Sequence, residues 1–216
     1  MTHNPPTFIF DLDGVITKTE ALHFEAWKKT AAFLNYTLTP QNNESLKGVS
    51  RVDSLKKILA WAEKEVSSDL FDQLLEEKNQ RYLASLASLS SSDIMPGVHP
   101  FIQKAKANHN KIALYSSSKN ARTILDKLNI LSLFDALVDG NDVQKSKPDP
   151  EGFALAAKLS QTPHNQCVVF EDAVAGIQGA KALGMKTVGV GDSTELSLAD
   201  RVCKDFTEIS LNDFTL

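Results

Sequence analysis

What this chain of 216 residues lacks narrows its reading first. It holds two cysteines, Cys167 and Cys203, neither with a Cys-x-x-Cys partner nor a His-rich neighbour. They read as free thiols, with a single disulfide left open. No apolar run approaches the ~20 residues needed to span a bilayer. The opening "MTHNPPTFIF" has neither the charged start nor the long apolar core of a secretion signal, so a cytoplasmic location is expected. The 23 basic residues form no stripe or tail among 27 acidic ones, and the net charge is −4. Nucleic acid and anionic membranes are therefore not expected partners. No internal repeat is present, and nothing in the pattern requires more than a monomer.

The length suits one or two domains and is enough to bury a core. Short apolar runs are present: "FIF" (8–10), "IALY" (112–115), "ALV" (136–138), "CVVF" (167–170) and "TVGV" (187–190). Helix-period segments follow them. Ala121, Ile124, Leu125 and Leu128 mark one stripe, and Val174, Ile177, Gln178 and Lys181 a weaker one. Strand–helix alternation with near-continuous apolar strands predicts a Rossmann-like parallel sheet covered on both faces. Residues 17–90 show no such strand. Their stripes are Leu55, Ile58, Leu59, Ala62 and Phe71, Leu74, Leu75, Tyr82, and Ser50 with Asp53 resembles a capping box. A helical block thus interrupts an α/β core after its first strand. The Ser-rich "SLASLSSSDIMPG" (85–97), with Pro96-Gly97 as breaker, marks the return. The expected division is a core of residues 1–16 and 91–216 and a helical insert of 17–90.

Open parallel sheets bind ligands beyond the carboxyl ends of their strands. Asp11 and Asp13 follow "FIF", Ser116 follows "IALY", Glu171 and Asp172 follow "CVVF", and Lys147 lies in the loop after "ALV". Each alone reads equally well as a helix-start acid, a serine cap or a loop lysine. Gathered at one sheet edge, they form a coherent set: carboxylates for an oxygen-seeking Mg²⁺, and a hydroxyl and an ammonium for a phosphate.

This ordered set resembles the haloacid dehalogenase superfamily of phosphotransferases. The four motifs are Asp11-Leu12-Asp13-Gly14, Ser116, Lys147 before Pro148, and Glu171-Asp172. The helical block stands where that superfamily inserts its cap domain. The resemblance implies that Asp11 is the nucleophile and Asp13 the general acid and base. It also implies that Ser116 and Lys147 hold the phosphoryl group, and that Asp11, Asp13, Glu171 and Asp172 bind Mg²⁺. The physical need is plain: a carboxylate approaching a dianionic phosphate at 4 Å meets ~2 kcal/mol of repulsion in water and ~8 at a dielectric of 20.

Within the superfamily, "LKGVSRVDSL" (46–55) is similar to the cap segment of the beta-phosphoglucomutase family, through Lys47, Gly48, Ser50, Arg51 and Ser54. His23 and Trp27 stand one turn apart as in that family, and "SSSKNA" matches its core run through Ser118, Lys119 and Asn120. The resemblance implies interconversion of beta-glucose 1-phosphate and glucose 6-phosphate through beta-glucose 1,6-bisphosphate, with a hexose phosphate and a hexose bisphosphate as small-molecule partners. A sugar-phosphate phosphatase on the same scaffold is the alternative. Arg51 is expected on the distal phosphate, together with N–H groups of a helix starting near Lys119. His23 reads either as a core histidine or, as the resemblance implies, as a catalytic residue of the cleft, and Lys78 either as a snorkelling lysine or as a cleft cation that reaches sugar hydroxyls or phosphate. Lys18, Ala173, Ser117 and Tyr115 depart from the family pattern.

Overall fold

The computed structural model describes residues 5–214; the terminal residues 1–4 and 215–216, assigned above to the core, lie outside the described residues. Strands β1 (Thr7–Phe10), β2 (Ile112–Tyr115), β3 (Ala136–Val138), β4 (Cys167–Glu171), β5 (Lys186–Val190) and β6 (Arg201–Cys203) form one sheet in the order β3-β2-β1-β4-β5-β6. Every pairing is parallel, with Phe8 of β1 opposite Ile112 on one side and Val168 on the other. Because successive side chains leave opposite faces, β1 feeds two cores. Phe8 and Phe10 join Phe101, Phe170 and Phe206, with Phe10 and Phe170 stacked 4.9 Å apart, while Ile9 joins Tyr115 and Phe153 on the other face. Burial on both faces is why these strands read as apolar runs. Edge strand β6 was not expected, because it has only Val202 and Cys203 between charged neighbours.

Helices α1 (Glu20–Phe33), α2 (Pro40–Glu44), α3 (Arg51–Trp61) and α4 (Ser68–Ser85) make up the block after β1. They bury a cluster of their own around Trp27, Leu34, Leu55, Ile58 and Leu74, separate from the two sheet cores. The expected Ser50 cap begins α3, accepting from the Asp53 N–H at 3.1 Å. The chain enters and leaves this block side by side: the Met95 N–H donates to the Ile16 carbonyl at 2.8 Å, and the Thr17 hydroxyl to the Asp93 carbonyl at 2.9 Å. The chain then resumes with α5 (Val98–Ala107), α6 (Ala121–Lys127), α7 (Glu151–Leu159) and α8 (Val174–Lys181).

The stripe proposed for α8 is corrected. Its buried face is Gly176, Ile177, Gly179 and Ala180, whereas Val174 is 38% exposed. Small residues let this helix lie close to β4 and the Lys147–Pro148 segment, and a search for large apolar residues misses them. Cys167 and Cys203 are both free and buried. No helix of the described residues is long and apolar enough to cross a membrane.

Candidate active site

The sheet and the helical block face each other across a cleft of about 420 Å³, walled below by the carboxyl ends of β1 and β2 and above by α1, α3 and α4. Beneath it, Lys147 is buried with its Nζ donating to Asp11 Oδ1 at 2.5 Å, Glu171 Oε2 at 3.2 Å and the Tyr115 carbonyl at 3.3 Å. Burial alone would lower the Lys147 pKa, but the carboxylates of Asp11 and Glu171 outweigh it and hold the group protonated. Burial raises Asp11 against the pull of Lys147, and burial with the Asp11 charge raises Glu171 to about 8. Asp172 is raised by burial and by both neighbouring acids. The Lys147–Pro148 peptide is cis.

Carboxylate oxygens of Asp11, Glu171 and Asp172 come within 4.8 Å of one another and could hold a metal ion. Burial and mutual repulsion disfavour the ionised forms of all three carboxyl groups, a conflict that a divalent cation would relieve, and all the donors are hard oxygens. Gly14 is what brings β1 and the acidic pair together. It has φ +80°, and a Cβ there would lie 2.1 Å from Asp172 Oδ2. Asp13, the fourth residue expected in the metal set, brings no carboxylate oxygen to this cluster. Its carboxylate turns away from the cluster, accepting from the Thr19 hydroxyl and lying 3.6 Å from His23 Nε2. Only its main-chain carbonyl remains to offer an ion.

The upper wall resolves the open readings of His23 and Lys78. Lys78 does not snorkel. It is 2% exposed, its ammonium donates to His23 Nδ1 at 2.8 Å, and it sits 4.8 Å from the Trp27 ring and 4.9 Å from that of Tyr82. Burial, then the Arg51 charge, lowers its pKa to about 7. His23 stacks on Tyr82 and lines the cleft. Burial would raise Asp13, but His23, Thr19 and Lys78 together keep it ionised. Thr19 was missed: nothing in "TKT" marks a side chain that fixes an acid six residues earlier.

Arg51, the first residue of α3, lines the cleft half-buried, and its guanidinium makes no hydrogen bond or ion pair among the described residues. Ser54 is buried beside it, and Gly48 lines the same wall. Lys47 reaches the cleft but is paired with Glu44 at 2.6 Å. The Ser50 hydroxyl is already engaged in its own helix cap, donating to Asp53 Oδ2 at 2.6 Å.

Below, Ser116 is 1% exposed; its oxygen accepts from the Ser118 N–H at 3.1 Å, leaving its proton free to donate. Ser118 in turn accepts from the Asn120 N–H at 3.2 Å, and Asn120 donates to Asn79 at 3.0 Å. Lys119 lines the cleft. The helix expected near Lys119 is α6, with Asn120 as its cap and Ala121 its first residue, and the N–H groups of Ser118 and Asn120 already bond the Ser116 and Ser118 hydroxyls.

A family model for the haloacid dehalogenase-like hydrolases matches residues 5–184. The chain belongs to the haloacid dehalogenase-like hydrolase family. It is also a homologue of a Bacillus subtilis beta-phosphoglucomutase, 39% identical over 94% of this chain and 91% of that protein. A Thermotoga maritima phosphorylated carbohydrates phosphatase is 29% identical over 83% of this chain and 82% of its own length. Among solved structures, a Clostridium difficile beta-phosphoglucomutase superimposes with a TM-score of 0.93 at 37% identity, covering 97% of this chain and 95% of that one. As a haloacid dehalogenase-like enzyme, this chain carries its own variations around the four motifs. Tyr115 places its ring 4.8 Å from the Lys147 ammonium, Ala173 packs beneath Gly48, and Ser117 donates to the Gly48 carbonyl at 2.7 Å. Lys18 is exposed and makes no side-chain hydrogen bond or ion pair with a site residue among the described residues.

Proposed function

We propose that this enzyme is a phosphohexomutase that interconverts beta-D-glucose 1-phosphate and glucose 6-phosphate, with residues 17–90 acting as a cap domain over the core. Asp11 attacks the phosphoryl phosphorus, and the phosphorus–oxygen bond to the sugar breaks as the bond to Asp11 forms. Asp13, held ionised by Thr19 and His23, takes the proton from the sugar hydroxyl that attacks phospho-Asp11 and returns it to the sugar oxygen that departs when the bisphosphate hands its other phosphoryl group to Asp11. Lys147 and Ser116 orient and neutralise the phosphoryl oxygens, the main requirement of this chemistry. Asp11, Glu171 and Asp172, with the Asp13 carbonyl, would hold Mg²⁺, which when bound offsets the charge between nucleophile and phosphate. Lys47, Ser54, Lys78, Ser118, Lys119, Asn120 and Trp27 bind the sugar and its second phosphate.

The observation that carries this reading is Arg51: a guanidinium in no hydrogen bond or ion pair among the described residues, lining the same cleft as Asp11. A bisphosphorylated sugar needs a cation there; a simple monoester does not. The phosphatase relative keeps the hydrolytic alternative concrete, since water and a sugar hydroxyl compete for the same phospho-Asp11. A ³¹P NMR time course with beta-glucose 1-phosphate and a trace of the 1,6-bisphosphate tests it. Glucose 6-phosphate should accumulate well ahead of inorganic phosphate; free phosphate as the sole product would leave the hydrolase.

A further inference from the structure

Two hydroxyls cross the mouth of the cleft from the sheet side to the helical side. Ser117 Oγ donates to the Gly48 carbonyl at 2.7 Å, and Ser146 Oγ donates to Asp53 Oδ2 at 2.7 Å. Their places in the chain are informative. Ser117 follows Ser116 and Ser146 precedes Lys147, so each is tied by one peptide bond to a residue beneath the cleft. Their acceptors bracket Arg51, three residues before it and two after. Asp53 also closes the first turn of α3 with Ser50, so a pull on its carboxylate acts on the helix end that carries the guanidinium.

The backbone is shaped for this contact. Gly48 has φ +71°, and a Cβ there would lie 3.1 Å from the Cβ of Ala173. The loop therefore rests flat on the residue that follows the acidic pair, and its carbonyl is free to meet Ser117. Neither serine touches the acidic cluster, and neither has a role in the chemistry proposed above.

We propose that Ser117 and Ser146 are positioning residues: a two-point latch that holds the helical insert over the cleft and sets Arg51 against the transfer centre. What Arg51 then grips rests on the mutase reading, but the latch does not. A hydrogen bond to a carboxylate is stronger than one to a carbonyl, so the Ser146 point dominates. Removing it should shift the closed-to-open ratio about tenfold toward open, and removing the Ser117 point about fivefold.

The test is a distance distribution between spin labels on Lys64→Cys in the insert and Lys158→Cys in α7, both exposed positions, with the two native thiols buried. Ser117→Ala, Ser146→Ala and the double variant are compared with the parent, without substrate and with Mg²⁺ and inorganic phosphate. Melting temperatures control for folding; they should stay level, because each substitution leaves an acceptor that water can reach. A broadened, longer distance in the double variant supports the latch. In the same variants KM for the hexose bisphosphate should rise, while phosphorylation of Asp11 by acetyl phosphate is largely kept. A distance distribution identical to the parent's in both conditions would overturn the latch. A shifted distribution in a protein whose parent lacks mutase activity would keep it and remove only the substrate assignment.

Discussion

Lys78 donates to His23 Nδ1 across 2.8 Å, tying α4 to α1 inside the cleft. With the Lys78 ammonium on Nδ1, the ring proton belongs on Nε2, on the side of Asp13. An acid on β1's exit loop is thereby oriented by a chain of side chains reaching from the opposite wall. The arrangement buries a cation among Trp27 and Tyr82 with no carboxylate in direct contact, and that has a cost that can be measured.

Unfolded, Lys78 holds its proton up to pH 10.5; folded, only to about 7. Between those values the unfolded chain binds more protons, so the stability owed to this residue rises with pH across that window. Below 7 the penalty is fully present. A shift of this size corresponds to roughly 3–5 kcal/mol. Lys78→Met, which keeps the length without the charge, should therefore melt higher than the parent near pH 6 and converge with it above pH 10, while losing turnover. A constant gap across the pH range would assign the effect to packing.

Asp11→Asn should abolish turnover while the protein stays folded, since Lys147 retains Glu171 at 3.2 Å. Asp13→Asn should be milder, a loss of about 10²–10⁴-fold, the usual worth of general acid–base help. Its amide oxygen can still accept from Thr19, so the loop should hold. Less than tenfold loss would reduce Asp13 to a structural residue.

The two aspartates were legible in the sequence because an apolar strand that ends in paired acids is hard to explain otherwise, and the motif resemblance added the partners. What could not be read is what depends on distance along the chain. Lys78 and His23 are 55 residues apart, and Ser146 and Asp53 are 93 apart, so no periodicity connects them. Thr19 lies near Asp13 in sequence, but threonine is common at helix starts and its hydroxyl gave no signal. The stripe of α8 failed for a different reason: close packing there uses Gly176, Gly179 and Ala180, which no hydrophobic template rewards.

The acidic cluster makes a prediction independent of catalysis. Mg²⁺ at about 100 times its Kd should stabilise the fold by ~2.7 kcal/mol. For a chain of this size that raises Tm by about 5–10 °C. Asp172→Asn removes one of the three converging carboxylates and should abolish most of the increase. An undiminished increase in that variant would place the ion elsewhere.

Arg51 separates the two chemistries that this scaffold could perform. In a mutase it binds whichever phosphate is not being transferred, so it acts both before and after the bisphosphate turns around in the cleft. Burial already lowers its pKa, with the Glu76 charge opposing from α4, yet a guanidinium remains charged, and a phosphate would supply the direct hydrogen-bonding partner that Glu76 does not. Arg51→Ala removes a charge-assisted contact worth ~1.5–3 kcal/mol, or about 10–100-fold. The loss should appear when Asp11 is phosphorylated by hexose 1,6-bisphosphate and be much smaller with acetyl phosphate, which has no distal phosphate. Arg51→Lys should rescue poorly, because an ammonium lacks the planar fork. Rates of Asp11 phosphorylation by both donors decide it: equal losses would mean that Arg51 supports the cap or the chemistry in general, and the second phosphate site would have to be given up together with the mutase reading built on it.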